Sequence, residues 1–294
     1  MRNKEIIECY RQAVKDGAGP ITPSCGKLLY ILTYSLASKG KIIAVDIGAG
    51  HGISTIYIAE AIRDSGGKGI VYTIERSIQN IEKLKQNIRK LNLQDIVQPI
   101  LGETQTILHE LEEADIIFID TGGTIPREIV EESCRKIKDN GILAIHDTIL
   151  NINRHPYIYK ILDKEGFEHS NIPVDTGVTV ASKIKPPREH ETILLETYMK
   201  SILERTWPIS YNTARLLRIL AYTLTTREAE STIVDVGSGY GFSTLNIALA
   251  TKGKSLTYAF EKDHEKIEYL KQVARKMKLQ DKICLLYTSP SPRD

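Results

Sequence analysis

The sequence predicts a doubly wound α/β fold with a mostly parallel sheet, and it predicts that fold twice. Short β-branched apolar runs alternate with amphipathic stretches, the pattern of buried parallel strands separated by helices. Two of these runs end in an aspartate followed by a glycine-rich turn: VDIGAGHGIST from Val45 to Thr55 and VDVGSGYGFST from Val234 to Thr244. The sequence around one turn also repeats around the other, which marks a duplicated domain and not a short solenoid unit.

Taken in order, a helical pattern over Cys25 to Ser38 precedes the first strand, IIAVDI at 42–47. The remaining strands are IVYTIE at 70–75, IVQPIL at 96–101, DIIFID at 115–120 and GILAIH at 141–146. Between them lie helical stretches over Ser54 to Ile62, Ile78 to Leu91, Glu103 to Leu111 and Pro126 to Lys138, the last opened by a proline and closed before Gly141. A helix over Tyr157 to Glu165 and a strand-like GVTVAS at 177–182 complete the first copy, and Lys183 to Arg188 with its Pro-Pro pair reads as a linker.

The repeat extends past the glycines. Tyr10, Pro20, Leu28, Leu29 and Tyr34 recur as Tyr198, Pro208, Leu216, Leu217 and Tyr222, and Glu75 to Gln98 shares 11 of 24 residues with Glu261 to Cys284. These boundaries give a complete domain over 1–187 and a truncated second copy over 188–283. The last eleven residues, CLLYTSPSPRD at 284–294, have no counterpart in the first copy and look like a translated sequencing-library adapter. A natural Ser/Pro-rich tail is the other reading.

Composition narrows the function classes. No apolar run approaches the roughly 18 residues that span a bilayer, and the charged start MRNKEIIE is not a secretory signal, so a cytoplasmic protein without membrane association is expected. Thirty-nine basic against 37 acidic residues leave a charge of +2, without the basic footprint of a dedicated nucleic-acid binder. The four cysteines, Cys9, Cys25, Cys134 and Cys284, have neither metal-ligand nor disulfide-framework spacing.

A strand ending in Asp46, then Gly48, Gly50 and Gly52, then a helix opening at Ser54, lets backbone approach a ligand closely and offers helix N-terminal amides to a negative group. The second copy repeats this with Asp235, Gly237, Gly239 and Gly241. A dinucleotide fingerprint needs Gly or Ala five residues after the first glycine, and Ile53 and Phe242 stand there, which argues against a nicotinamide-dependent oxidoreductase. Glu75 and Glu261, each closing the next strand, are placed to accept hydrogen bonds from neighbouring hydroxyls of a ribose.

An acidic strand end followed by GxGxG resembles the S-adenosylmethionine-dependent class I methyltransferases, whose Rossmann-like sheet has seven strands. The resemblance implies S-adenosylmethionine as cofactor, with Glu103 at the position of an acidic adenine contact. ITPSCGKLLYIL at 21–32, GHGISTIYIAEAI at 50–62 and GETQTILHEL at 102–111 are similar to motifs of the catechol and caffeoyl-CoA O-methyltransferase group. The similarity spans most of residues 10–182. It implies methyl transfer to an oxygen of a small-molecule acceptor, and a homodimer or intrachain pseudo-dimer.

In that group a divalent metal holds the acceptor oxygens through an Asp after the fourth strand and an Asp-Asn pair after the fifth. Asp120 and Asp147 match the two aspartates and imply Mg²⁺, whereas Thr148 stands at the Asn position and Gly123 at that of the catalytic lysine. The candidate catalytic residues are therefore Asp120, His146 and Asp147. His146 is either a general base or a strand-end histidine bonded to a backbone carbonyl. The competing function is a catalytically degenerate donor-binding or scaffold protein.

Overall fold

The computed structural model describes residues 3–150, 156–184, 186–225 and 230–287. The chain divides into two compact units, one of Met1–Phe167 with Asn171–Lys183 and the other of Glu168–Ser170 with Ile184–Asp294.

The first unit begins with α1 (Asn3–Lys15) and α2 (Pro23–Ala37), followed by β1 (Ile42–Ile47), α3 (Ile53–Asp64), β2 (Gly69–Glu75) and α4 (Ile78–Lys90). The chain continues through β3 (Val97–Leu101), α5 (Thr104–Glu110), β4 (Ala114–Ile119), α6 (Arg127–Lys136), β5 (Ile137–His146), α7 (Ile158–Lys164), β6 (Glu168–Ile172) and β7 (Val178–Ser182). The sheet order is β3-β2-β1-β4-β5-β7-β6. β1 pairs parallel with both β2 and β4, and β7 pairs antiparallel with β5. This is the doubly wound, mostly parallel sheet that the sequence predicts.

Chain reversal on either side of β1 makes the carboxyl ends of β1 and β4 the place where open α/β sheets bind ligands. Every residue of β1 and of β4 is buried, as expected for central strands covered on both faces. The core on one side gathers Val45, Ile47, Ile117, Ile119, Leu143 and Ile145 with Ile129 and Val130 of α6 and Ile161 and Leu162 of α7.

Three features lie outside the sequence expectation. Helix α1 is absent from it, although Ile6, Cys9 and Ala13 are buried at the i, i+3, i+7 spacing of an amphipathic face. Strand β6, EHSNI, carries too little apolar pattern to be read as a strand. α6 ends at Lys136 and β5 begins at Ile137, because Ile137 is fully buried and pairs with Ala114 across a register shift in β4.

The second unit contains α8 (Arg188–Leu203), α9 (Tyr211–Thr225), β8 (Thr232–Val236), α10 (Phe242–Ala250), β9 (Leu256–Glu261), α11 (His264–Lys276) and β10 (Ile283–Tyr287). Its sheet runs β10-β9-β8, all parallel, and reproduces β3-β2-β1. Cys284–Tyr287, expected to lie outside the fold in the adapter-like tail, form most of β10, beside β9, with Leu285 packed on the unit's core. Residues 288–294 of that tail lie outside the described residues.

In both units an aspartate ties the strand end to the following helix. Asp46 Oδ2 accepts from Ser54 Oγ at 2.7 Å and Thr55 Oγ1 at 2.5 Å, and Asp235 Oδ2 accepts from Ser243 and Thr244 at 2.7 and 2.6 Å. Asp46 is completely buried. Burial pushes its pKa up to about 6, against the opposing pull of the two hydroxyls.

A carboxyl raised from 3.8 to about 6 binds more protons folded than unfolded between those values, so its stabilising contribution is full below 3.8 and is lost as pH rises through about 6. Relative to Asp46→Asn, the wild type should therefore lose up to about 3 kcal/mol of stability between pH 3.5 and pH 7. Urea unfolding of both proteins across that range measures it. A pH-independent difference would contradict the assignment.

Candidate active site

Glycines bring the ends of β1 and β4 together. Gly48 has φ +79°, and a β-carbon there would overlap the carbonyl oxygen of Asp120, so the backbone just past β1 lies directly against the first residue past β4. The ladder continues through both ends, with Gly48 N–H donating to Ile74 O and Asp120 N–H donating to Ile47 O, each at 3.0 Å. Gly52, φ +83°, starts α3, and a β-carbon there would come within 2.9 Å of Leu84 in α4. Gly241 meets Leu270 in the same way in the second unit.

Gly48 and Gly50 line a cavity of about 520 Å³ over the carboxyl ends of the first unit's strands. Glu75 and Arg76 form one wall, Glu103 to Gln105 another, and Asp120 to Thr124 a third. Glu75 is 7% exposed, and it receives Gly50 N–H on Oε2 and Ser77 N–H on Oε1, both at 2.8 Å. It thereby holds the glycine loop and the start of α4, and each oxygen keeps a lone pair for a ligand hydroxyl. Glu261 takes Gly239 N–H at 2.8 Å and Asp263 N–H at 3.0 Å, so the second unit has the same clasp.

Of the expected cofactor residues, Gly48, Gly50, Glu75 and Glu103 therefore share one cavity. Asp46 and Gly52 do not line it, and Ser54 lines a smaller cavity shared with Gly48, Gly50 and Asp120. Asp46 and Ser54 brace the strand-to-helix turn, and Gly52 makes room for Leu84. Arg76, Ser77 and Asn80 also line the cavity, and were missed by sequence reasoning although Ser77 carries an N-cap signal, its Oγ accepting from Asn80 N–H.

Asp120, His146 and Asp147 converge, with one donor atom from each lying within 4.8 Å of the others. His146 Nδ1 is 3.3 Å from Asp120 Oδ2 and 3.6 Å from Asp147 Oδ1, and Nε2 is 3.4 Å from Asp175 Oδ2. The ring is 7% exposed, and neither nitrogen achieves hydrogen-bond geometry. Burial alone would lower the imidazole pKa. Its contacts with Asp120 and with the Cys25 sulfur outweigh burial and raise it to about 11.

Neither ring nitrogen of His146 is bonded to a backbone carbonyl, and the raised pKa weighs against its serving as a neutral base. A ring already protonated at neutral pH has no lone pair to accept a proton. Asp175 and Cys25 are the residues the sequence did not reveal. Asp175 sits in the turn before β7 at φ +57° and also accepts Thr22 N–H at 2.8 Å, a pairing across 153 residues that no local pattern encodes.

The Mg²⁺ expectation meets a mixed donor set. Two carboxylates and an orphaned imidazole suit a divalent cation, but they are not the all-oxygen shell that Mg²⁺ prefers. Thr148, at the expected Asn position, is buried with its hydroxyl unbonded.

Residues 45–148 match the family model described as a methyltransferase domain, and residues 209–286 match that of the rRNA small subunit methyltransferase G. Three solved methyltransferases superpose with TM-scores of 0.53 to 0.54: one from Geobacter sulfurreducens at 20% identity, one from Bacillus cereus in complex with SAH at 19%, and one from Streptomyces achromogenes in complex with SAM at 16%. Each covers 62% of this chain, and 90%, 91% and 90% of its own length is matched. The first unit has the methyltransferase fold.

Relatives of the first unit include a Mycobacterium tuberculosis protein named "Probable O-methyltransferase", 28% identical over 149 residues, 49% of this chain. A Mycobacterium avium O-methyltransferase-named protein is 30% identical over 142 residues, 47% of this chain and 61% of its own length. The chain spans 64% of the length of the first of these relatives. Among the described residues no helix is long and apolar enough to cross a membrane.

Two glycines of the loop separate packing from backbone strain. Gly48→Ala should destabilise by about 2 kcal/mol or more, since the new methyl adds overlap with Asp120 to the roughly 1–2 kcal/mol cost of a positive φ. Gly50→Ala meets only Ala18 O at 4.0 Å and should show the φ cost alone. Equal losses in denaturant unfolding would refute the close approach at Gly48.

Proposed function

We propose that the first unit catalyses S-adenosylmethionine-dependent methyl transfer to an oxygen of a small-molecule acceptor. The observation that carries this reading is Glu75. It is a nearly buried carboxylate that fixes the Gly50 amide and turns its free lone pairs to a cavity whose opposite wall begins at Asp120. The glycine loop then receives the amino-acid part of the donor, Glu75 the ribose hydroxyls and Glu103 the adenine edge. The names of the relatives support the oxygen as acceptor.

The donor supplies an electrophilic methyl on a sulfonium, which an oxygen displaces in line. The protein's tasks are alignment and removal of the acceptor's proton. Asp120 is the side chain placed for the second task, because it borders the cavity, is 17% exposed, and has Oδ1 fixed by the Gly122 amide at 3.2 Å. His146 lies beside it, with Nδ1 3.3 Å from Asp120 Oδ2. We read the second unit as a second copy of the donor-binding half; among its described residues no counterpart of Asp120 occurs.

Calorimetric titration of the full chain with S-adenosylmethionine, with NAD as control, tests the donor reading. Saturable binding of S-adenosylmethionine alone is expected, weakened at least tenfold at the first unit's site by Glu75→Ala and unaffected there by Glu261→Ala. A folded chain that binds no donor would overturn the proposal. Asp120→Asn should lower kcat by about 10²- to 10⁴-fold with donor affinity retained, the range for loss of a general base.

A further inference from the structure

The two glycine turns of the chain differ in what stands beside them. Gly48 and Gly237 hold nearly the same backbone, at φ +79° and +80°, and each turn keeps its contact on the helix side, Gly52 against Leu84 and Gly241 against Leu270. On the strand side they part. A β-carbon on Gly48 would overlap the carbonyl oxygen of Asp120, just past β4, whereas one on Gly237 would meet nothing within 4 Å. The second turn has the shape that admits a neighbouring strand end, with open space where the first turn meets one.

The strands that lead into the turns repeat the contrast. β1 lies between β2 and β4, and its Ile43, Val45 and Ile47 are 8% exposed or less, in one core with Leu108 of α5 and Ile129 and Val130 of α6. Thr232, Val234 and Val236 occupy the same places in β8 when the two turns are aligned. Among the described strands β8 pairs with β9 alone, and Val234 and Val236 are 56% and 80% exposed. In register with them are Tyr258 and Phe260 of β9, then Cys284 and Leu286 of β10, all partly exposed on the same face. The opposite face, with Ala259, Ile283 and Leu285, packs into the unit's own core. An apolar edge without charge or proline is a template for another strand, and an open apolar face beside it marks an interaction surface.

We propose that the β8 edge and this face form a docking surface for a polypeptide segment of one kind, an apolar strand that adds in parallel to β8, followed by an amphipathic helix that lies over Val234, Val236 and Phe260. The first unit argues for this occupant. There β4 pairs with β1 in the register Val45↔Ile117, Asp46↔Phe118 and Ile47↔Ile119, the residue after it abuts Gly48, and the helix that follows, α6, contributes to the core on that face. A second copy of the chain fits less well. The two-fold axis of a symmetric dimer would set β8 antiparallel to its mate, and the carboxyl end of the partner strand would then point away from Gly237. In the parallel arrangement main-chain hydrogen bonds to the edge supply affinity, and apolar side chains opposite Val234 and Val236 fix the register. The inference concerns the second unit and stands apart from donor binding in the first.

The probe is a synthetic peptide with the sequence of residues 113–136, which comprises β4 and α6, added in reducing buffer to the full chain. Calorimetry should show one peptide bound per chain, and amide hydrogen exchange should slow at least tenfold across Thr232–Val236 with no change in β1. Val236→Asp in the chain and Ile117→Asp in the peptide should each weaken binding at least tenfold. Gly237→Ala should weaken it by a similar factor, because the added methyl would meet the docked strand. Gly239→Ala, which carries a positive φ and open space of its own, should change affinity less than twofold. Circular dichroism reports whether each variant is folded.

A folded chain that does not bind the peptide saturably, binding without protection of β8, or unchanged affinity in folded Val236→Asp would overturn the proposal. Equal effects of Gly237→Ala and Gly239→Ala would overturn the close approach at Gly237. Dimerisation of the chain alone in sedimentation equilibrium, abolished by Val236→Asp, would also overturn it, since a second copy would then be the occupant.

Discussion

The architecture depends on one close backbone approach, that of Gly48 to the carbonyl of Asp120. Because nothing larger than hydrogen fits between them, the turn that leaves β1 and the first residue past β4 occupy the same few ångströms. The glycine loop, the Glu75 clasp and the Asp120 carboxylate thus come from three strands yet share one cavity. A ligand on one side of Gly48 is within reach of groups on the other. Proximity of that kind is what a group-transfer reaction requires, and the parallel sheet supplies it without a moving part.

Charge organises the other half of the site. Asp120, Asp147 and Asp175 approach each other from β4, β5 and the turn before β7, and a single imidazole lies among them. Of the described residues, the imidazole is the one cationic group that the structure places among these three acidic side chains. The same geometry explains why a histidine at a strand end is a poor base here, since the neighbours that make it useful also keep it charged.

Much of this was legible in the sequence, and the reasons differ from residue to residue. The loop glycines, Asp46 and Glu75 were visible because a sharp turn after a strand needs glycine and because the chain writes the pattern twice. Asp120 and Asp147 were visible as strand-end acids. Asp175 was not, because its partners, Thr22 and His146, are 153 and 29 residues away and its own surroundings read as an ordinary turn. That Asp46 braces the turn and Gly52 makes room for Leu84 was not legible for a related reason, since motif spacing fixes where a residue sits along the chain and not which way its side chain faces. Strand β10 was hidden because its residues were read as foreign to the domain, whereas five apolar or aromatic residues beside β9 suffice for a parallel strand.

The duplicated aspartate clip carries a consequence for mutational robustness. In the first unit β1 is buried along its whole length, and Asp46 is sealed from solvent with its two hydroxyl partners. In the second, β8 alternates between partial and full exposure, with Val236 80% exposed, and the Asp235 bonds are only partly buried. Water can replace a lost hydroxyl at Asp235 and cannot reach Asp46. Identical substitutions at Ser54 and Ser243, or at Thr55 and Thr244, are therefore different experiments, and the second loop can accumulate changes that the first would not survive.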